Sequence, residues 1–377
     1  MAEALLNKSS FIGLDEYTWL YGGAETPPHT ACVEAINAYM RNRGKGPEGR
    51  ELHAETEQSC RRNIAKLMNG REQDIALMSN ASECIMSIVH ALDLQAGDNV
   101  VINTLEYPSG VIPWLMLRQR GVEVRLVDHY DWQISAEQMM GKVDARTKLV
   151  MASHSSYLSG TRIDSKALYD QVRQTDALLL LDVTQSLGVV SVDMNDADFV
   201  VCSSYKWLLS VHGIGILGVN PARTQSMVPR SVGWRSVKDI FNDRRFEAFE
   251  FLDDARKWEL GYPSYPSIYA MNASTGILLE TGIDAIERYV LELGGHLINH
   301  LSSLGFEVMT PAKPASRAGN IAVSFPQGGE LADLLRKQDV LVWGGDGRLR
   351  ASIHAYNDMA DIEKLVGLLP EAAAALK

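Results

Sequence analysis

Cysteine is scarce in this 377-residue chain: Cys32, Cys60, Cys84 and Cys202 are scattered, with no C-x-x-C pair among them. That excludes a disulfide framework and a thiolate zinc site. Long apolar runs are also missing; none approaches the roughly 18 residues of a membrane span. The opening MAEALLNKSSFIGL has no basic region, apolar run and cleavage site in the order of a secretory signal. Basic residues are the scarcer charge, 36 against 47 acidic, which leaves a net charge of −11. A field of that sign repels phosphate backbones and anionic lipid, so nucleic acid and membrane fall away as partners. Neither internal repeats nor low-complexity tracts occur. The expectation is a reduced, cytoplasmic protein without a metal site. What is present, 46% hydrophobic and 22% charged residues, belongs to an ordinary globular protein. At this length two or three domains are expected.

From about residue 60, helical patterns alternate with short β-rich runs. SCRRNIAKLM (59–68) and SECIMSIVHAL (82–92) have helical spacing, the second starting at Ser82, a good capping residue. The runs NVVINT (99–104), EVRLVDH (123–129), KLVMASH (148–154), ALLLLDVT (177–184) and DFVVCSS (198–204) are mostly continuous Val, Leu and Ile. Such strands are covered on both faces. Between them, SGVIPWLMLRQRG (109–121) and DSKALYDQVRQT (164–175) read as helices. The predicted class is α/β with a mostly parallel sheet, where ligands sit beyond the carboxyl ends of the strands. Residues 221–266 read as irregular and proline-containing. A long helical region (267–303) follows, then strands at 321–326, 340–345 and 349–354, helix 330–338 and a last helix 358–376: a smaller α+β domain.

Gly213, Gly215 and Gly218 match G-x-G-x-x-G, but they lie inside a strand-like run and do not open a helix, so they read as structural. The chemistry gathers at two neighbouring strand ends. LLLLDVTQSLG places Asp182 and Gln185 where one strand gives way to a loop; DFVVCSSYKWLL places Ser203, Tyr205 and Lys206 at the end of the next. Two buried opposite charges are costly unless they pair or meet a ligand, so a plain ion pair remains the competing reading. MSNASE (78–83) ends a β-like run and opens a helix, a ready anion site. Anion site, carboxylate and lysine together suit a phosphorylated aldehyde with a basic ring nitrogen, pyridoxal 5'-phosphate (PLP).

The segment LLLDVTQSLGVVSVDMNDADFVVCSSYKWLLSVHGIGILGV closely resembles the class V aminotransferase family of fold-type I PLP enzymes, and the similarity covers nearly the whole chain. That family includes cysteine desulfurases, selenocysteine lyases, kynureninases and isopenicillin-N-epimerase-like enzymes. SNASE (79–83) resembles the family's S-G-A-T-E phosphate turn, EYPSG (106–110) its E-H-H-S-N segment, SHSSYLSGTR (153–162) its H-V-x-Y-x-T-G-x-R form, and LRASIHAYN (349–357) its R-x-S-x-x-x-Y-N element. The resemblance implies a large PLP domain (21–260) with a mostly parallel seven-stranded sheet, a small C-terminal α+β domain (261–377), and an N-terminal arm (1–20) packing with the latter. It implies that Lys206 forms the Schiff base and then shuttles the Cα proton, while Asp182 keeps the ring nitrogen protonated. Gln185 would bond the phenolic oxygen, Val183 pack beneath the ring and Tyr107 stack on it. Ser82, Ser203 and Tyr205 would bind the phosphate, and Ala81 would contact the cofactor. Tyr157 and Ser159 would lie near the cofactor, and Arg350 would grip the substrate carboxylate as a bidentate pair.

Two departures from the family stand out. KWELGYPSYPS (257–267) puts Tyr262 where the family has a threonine that reaches the partner subunit's phosphate, leaving that contact to Tyr262 or Ser264 if it is made. No cysteine follows Cys202, so an enzyme persulfide has no nucleophile. The resemblance then implies a homodimer with active sites at its interface, acting on an amino acid or cysteine conjugate through a Cα carbanion. C–S β-elimination without an enzyme persulfide is the preferred reading; an aminotransferase or epimerase is the alternative, and a non-catalytic PLP-fold binding module a second. A place in secondary metabolism is expected from the resemblance alone. His154 and Cys202 read as core, Trp207 and Trp234 as packing residues, and the Arg244-Arg245 and Arg256-Lys257 pairs as solvated or dimer contacts.

Overall fold

The computed structural model describes residues 4–376; the first three residues of the expected arm lie outside them. In chain order the strands are β1 (Thr18–Trp19), β2 (Ile75–Met78), β3 (Asn99–Asn103), β4 (Glu123–Val127), β5 (Thr147–Ser153), β6 (Leu178–Asp182), β7 (Phe199–Ser203), β8 (Gly215–Val219), β9 (Asn320–Ser324), β10 (Val340–Leu341), β11 (Trp343–Gly345) and β12 (Arg348–Ser352). Seven of them form one sheet in the order β2-β8-β7-β6-β5-β3-β4. Within it β8 alone runs antiparallel to its neighbours; the remaining pairs are parallel. The fold is the expected α/β arrangement with a mostly parallel sheet.

Alternate residues of the central strands enter two different cores. Val101, Val150, Leu179 and Leu181 pack on one side of the sheet, and Val100, Leu149, Leu180 and Val201 on the other. That two-sided burial is why these strands read as unbroken aliphatic runs. β11, β12 and β9 make a separate antiparallel sheet. Near the N-terminus, β1 pairs in parallel with β10, and Lys8 Nζ lies 2.8 Å from both Asp358 and Asp361 at the start of the last helix.

Several helices differ from the sequence expectation. Thr30–Arg43 and all but the end of Pro47–Leu67 were not predicted; they are helices rich in polar residues that pack against helix Tyr265–Thr281. The expected helix 109–121 is a short α-helix, Ile112–Leu117, between two 3-10 turns. The expected helix 267–303 is two helices broken at Gly282, whose φ of 85° no side-chain-bearing residue adopts cheaply. The run 340–345 splits between two sheets. Helix Ala81–Leu92 is capped by Asn80 and not by Ser82: the Asn80 side chain accepts the Glu83 amide at 2.9 Å. Among the described residues no helix is long and apolar enough to cross a membrane.

Candidate active site

Three parallel strands end together. Their register sets Ser153 of β5 beside Asp182 of β6, and Asp182 beside Val201 of β7. Asp182 is buried and enters no salt bridge among the described residues. Its Oδ1 accepts the Thr184 amide at 2.8 Å. Burial pushes its pKa above the ordinary carboxylate value, against the pull of the Thr184 hydrogen bonds and of Lys206. A buried carboxylate in that condition is stabilised by a cation delivered to it.

Lys206 follows β7 by three residues. Its Nζ lies 5.4 Å from the Tyr107 ring centroid and 5.7 Å from that of Tyr205. Burial lowers its pKa to about 8, and the Arg350 guanidinium adds to the fall while Asp182 opposes it. The amine therefore sheds its proton far more readily than a surface lysine. Thr26 Oγ1 fixes the Lys206 carbonyl at 2.9 Å, a support that nothing in the sequence pattern announced.

The expected anion site lies where Gly215 of β8 sits between Met78 and Ser203 in the sheet. A Cβ at Gly215 would lie 2.2 Å from the Asn80 carbonyl carbon, so only glycine lets this turn close against β8. The amides of Ala81 and Ser82, first in the helix, have no acceptor among the described residues, because the strand before them offers none. The Ser203 and Tyr205 hydroxyls are likewise free of protein partners there. Tyr205 is held flat against His212, centroids 3.9 Å apart.

Gln185 is locked. Trp207 Nε1, which can only donate, bonds Gln185 Oε1 at 2.9 Å, and Asn320 Nδ2 bonds the same oxygen at 2.9 Å. Its Nε2 donates to Gly23 O at 2.9 Å, which leaves one amide hydrogen uncommitted. Val183 is buried directly after Asp182. Tyr107, half-exposed, meets Tyr157 edge-on at 5.1 Å. Ser159 is buried, its hydroxyl directed to Thr161 and the Trp132 carbonyl.

Arg350 on β12 is 2% exposed. Its Nη1 donates to Tyr157 O at 2.6 Å, its Nε has no partner, and no carboxylate pairs with it among the described residues. Burial, with the charge of Arg348 second, lowers its pKa to about 10. Glu106, beside Tyr107, was not singled out from the sequence; burial raises its carboxyl pKa to about 7, while Ser153 N (2.7 Å), Ser153 Oγ (2.6 Å) and Asn103 Nδ2 (2.6 Å) hold it.

The remaining expectations divide. His154 is buried, its Nε2 accepts from Arg162 at 3.3 Å, and burial lowers its pKa to about 3, so it is neutral in the core. Cys202 and Trp207 are core residues too. Lys257 is not solvated: it is 6% exposed, and its Nζ donates to Gln225 O. A cavity of about 1210 Å³ lies away from Lys206, lined by Arg50, Trp234, Arg235, Tyr262 and Tyr265 among others. Its floor is a buried network in which Arg61 and Arg235 share Glu57 and Glu259. This cavity has neither the lysine nor the unpaired carboxylate among its lining residues.

The arrangement fits PLP. Free helix-start amides and hydroxyls suit a phosphate, the unpaired Asp182 a pyridinium, the lowered Lys206 amine an aldehyde, and the Tyr107 and Val183 side chains the two faces of a ring. No cluster of metal ligands exists among the described residues. The family model for Aminotransferase class-V matches residues 18–365. A probable cysteine desulfurase of Methanothermobacter thermautotrophicus is 27% identical over 96% of this chain and 96% of its own. An apo cysteine desulfurase from Thermococcus onnurineus superposes with a TM-score of 0.87 at 21% identity, over 98% of this chain and 97% of its own. A cystine C–S lyase, solved with its reaction product cysteine persulfide, gives 0.86 at 20% identity over 95% and 98%.

Proposed function

The chain belongs to the class V aminotransferase family and is a PLP enzyme; from that premise we propose that it cleaves the Cβ–S bond of a cysteine conjugate by β-elimination, without forming an enzyme persulfide. One observation carries the choice: all four cysteines are buried, and none follows Cys202. Burial lifts the thiol pKa of Cys32 to about 11 and that of Cys60 to about 12, and raises those of Cys84 and Cys202 as well. No thiolate is therefore available to take sulfur. The cystine C–S lyase among the structural neighbours, whose reaction product is cysteine persulfide, has the same fold, which supports this reading.

PLP, when bound, supplies an aldehyde for an amine and a protonated ring that draws electrons from Cα. In this reading Lys206 Nζ holds the aldehyde carbon, and the Ala81 and Ser82 amides with the Ser82, Ser203 and Tyr205 hydroxyls hold the phosphate. Asp182 would keep the ring nitrogen charged, and the uncommitted Gln185 N–H would be the donor offered to the phenolic oxygen. Arg350 and Tyr157 orient the substrate, with the Arg350 guanidinium on its carboxylate. Lys206 Nζ, freed by the substrate amine, takes the Cα proton and passes a proton to the departing sulfur. The Cβ–S bond breaks with its electron pair on sulfur; water then converts the three-carbon remainder to pyruvate and ammonia.

A homodimer is part of the proposal. Trp234, Phe241 and Tyr262, which line the large cavity, are exposed, as are Phe246, Phe249 and Leu260 nearby in sequence; exposed apolar residues of this kind suit a subunit interface. Tyr262 accepts a hydrogen bond from Arg50 at 2.7 Å, poised at that surface. The test of the reaction is to incubate the holoenzyme with S-substituted cysteines and measure products. The proposal expects pyruvate and thiol in equal amounts; stoichiometric pyridoxamine phosphate or an inverted substrate would overturn it in favour of transamination or epimerisation.

A further inference from the structure

Arg350 has a neighbour of the same kind. On a strand, residues two apart share a face, so Arg348 and Arg350 project from β12 together. Both approach one indole: the Arg348 guanidinium carbon lies 4.6 Å from the Trp343 ring centroid and that of Arg350 5.3 Å. Arg348 is 3% exposed. Its guanidinium also sits 5.3 Å from the ring of Tyr157, the residue whose carbonyl holds Arg350. Tyr157 in turn meets Tyr107, and Tyr107 faces Lys206. Arg348 therefore stands on the substrate side of the site, two aromatic rings from the amine.

Its charge is poorly matched. Among the described residues the Nε atoms of both arginines are buried without partners. The ion partner of Arg348 is Asp346, at 2.7 Å, whose side chain is 73% exposed in the turn joining β11 to β12. Two buried cations side by side, with one surface carboxylate between them, leave positive charge uncompensated. The Asp346 carboxylate is held on a turn and lies largely in water, so a ligand carboxylate can displace it at small cost.

We infer that Arg348 is a second anion anchor, and that the substrate carries a second carboxylate at the far end of its side chain, placed there by the S-substituent of the cysteine conjugate. This rests on the reading that Arg350 binds the α-carboxylate. The span from Lys206 past Tyr107 and Tyr157 favours a carboxylate several bonds beyond Cβ over one attached as closely as in aspartate. The two guanidiniums then divide the work: Arg350 fixes the reacting end, and Arg348 discriminates the distal end by charge.

Matched substrates test it. S-carboxymethylcysteine and S-(2-carboxyethyl)cysteine are compared with their amides on the holoenzyme, by pyruvate release and by titrating the cofactor absorbance, which reports binding without turnover. The wild type is expected to favour an acid over its amide by about tenfold or more, the worth of one hydrogen bond to a charged group. Arg348→Gln should reduce that ratio to about one, by weakening the acid far more than the amide. Asp346→Asn, which frees Arg348 and keeps its fold, should raise the ratio. Arg350→Met should weaken acid and amide alike. No acid preference in the wild type, no binding of any acid, or an Arg348→Gln loss equal for acid and amide overturns the inference. If Arg350→Met spares both members of a pair while the Arg348 ratio behaves as expected, it is the reading of Arg350 that fails.

Discussion

Replacing Arg350 with methionine separates what the residue does for the fold from what it does for a ligand. Arg350 is 2% exposed, and burial drops its pKa well below the ordinary guanidinium value, to about 10. A base whose folded pKa is depressed costs stability wherever it stays protonated, here at every pH below about 10. At about 1.4 kcal/mol per tenfold change, the cost is about 3 kcal/mol at neutral pH. Methionine removes it and keeps most of the volume. Against this stands the 2.6 Å hydrogen bond to Tyr157 O, whose loss costs about 1–3 kcal/mol. The two nearly cancel, so the melting temperature of apo Arg350→Met should equal or exceed that of the wild type. Catalysis should collapse. In the proposed binding mode Nε and a second guanidinium nitrogen would make two hydrogen bonds to a substrate carboxylate, at about 1.5–3 kcal/mol each. Their loss lowers kcat/KM by about 10² to 10⁴. Scanning calorimetry and pyruvate release measure the two sides. A melting temperature several degrees lower would mean that the cation is part of the scaffold, and an unchanged kcat/KM that it never meets substrate; either result refutes the reasoning.

Three further outcomes follow from the geometry. Gly215→Ala puts a methyl 2.2 Å from the Asn80 carbonyl carbon, so PLP affinity of the apoprotein should fall at least tenfold, as read by fluorescence titration; unchanged affinity would place the phosphate elsewhere. Acylation of the Lys206 amine in apoprotein should rise with pH to a midpoint near 8, and Arg350→Met, by removing the adjacent positive charge, should move that midpoint upward; a midpoint above 10 contradicts the burial argument. His154 is held neutral with a pKa of about 3 against an ordinary 6.5. The unfolded chain therefore takes up a proton that the folded one refuses, and stability drains as pH falls from 6.5 towards 3, by up to about 1.4 kcal/mol per pH unit. His154→Gln should flatten denaturant midpoints over that range, and parallel wild-type and variant curves would show that the imidazole is not shielded.

Physical chemistry explains which parts of the molecule were readable. The central strands bury both faces, so β3, β5, β6 and β7 appear as aliphatic runs, and their β/α alternation fixes the sheet class. Asp182 and Lys206 stood out because charges directly after such runs are improbable without a partner. Helix Thr30–Arg43 escaped because it buries only Cys32, and most of Pro47–Leu67 because its buried positions include His53, Glu57 and Arg61. Ionic burial of that kind leaves no apolar stripe, and it depends on Arg235 and Glu259, both remote in sequence. Asn80 out-competed Ser82 as the cap because its side chain accepts the Glu83 amide three residues on, so the helix begins at Ala81. Lys257 looks like a surface charge until the Gln225 carbonyl closes over it. Arg348 was invisible for a similar reason: its role depends on Trp343 and Tyr157, which the chain brings to it only through tertiary structure.

The central claim is that one amine, Lys206, holds PLP at the ends of β6 and β7. Borohydride reduction of the yellow holoenzyme, followed by peptide mapping by mass spectrometry, tests it most directly. The account predicts a single pyridoxyl-modified peptide, labelled at Lys206, and a Lys206→Ala variant that retains no reducible cofactor. A label on any other lysine, or a colourless protein that PLP cannot reconstitute, would contradict it.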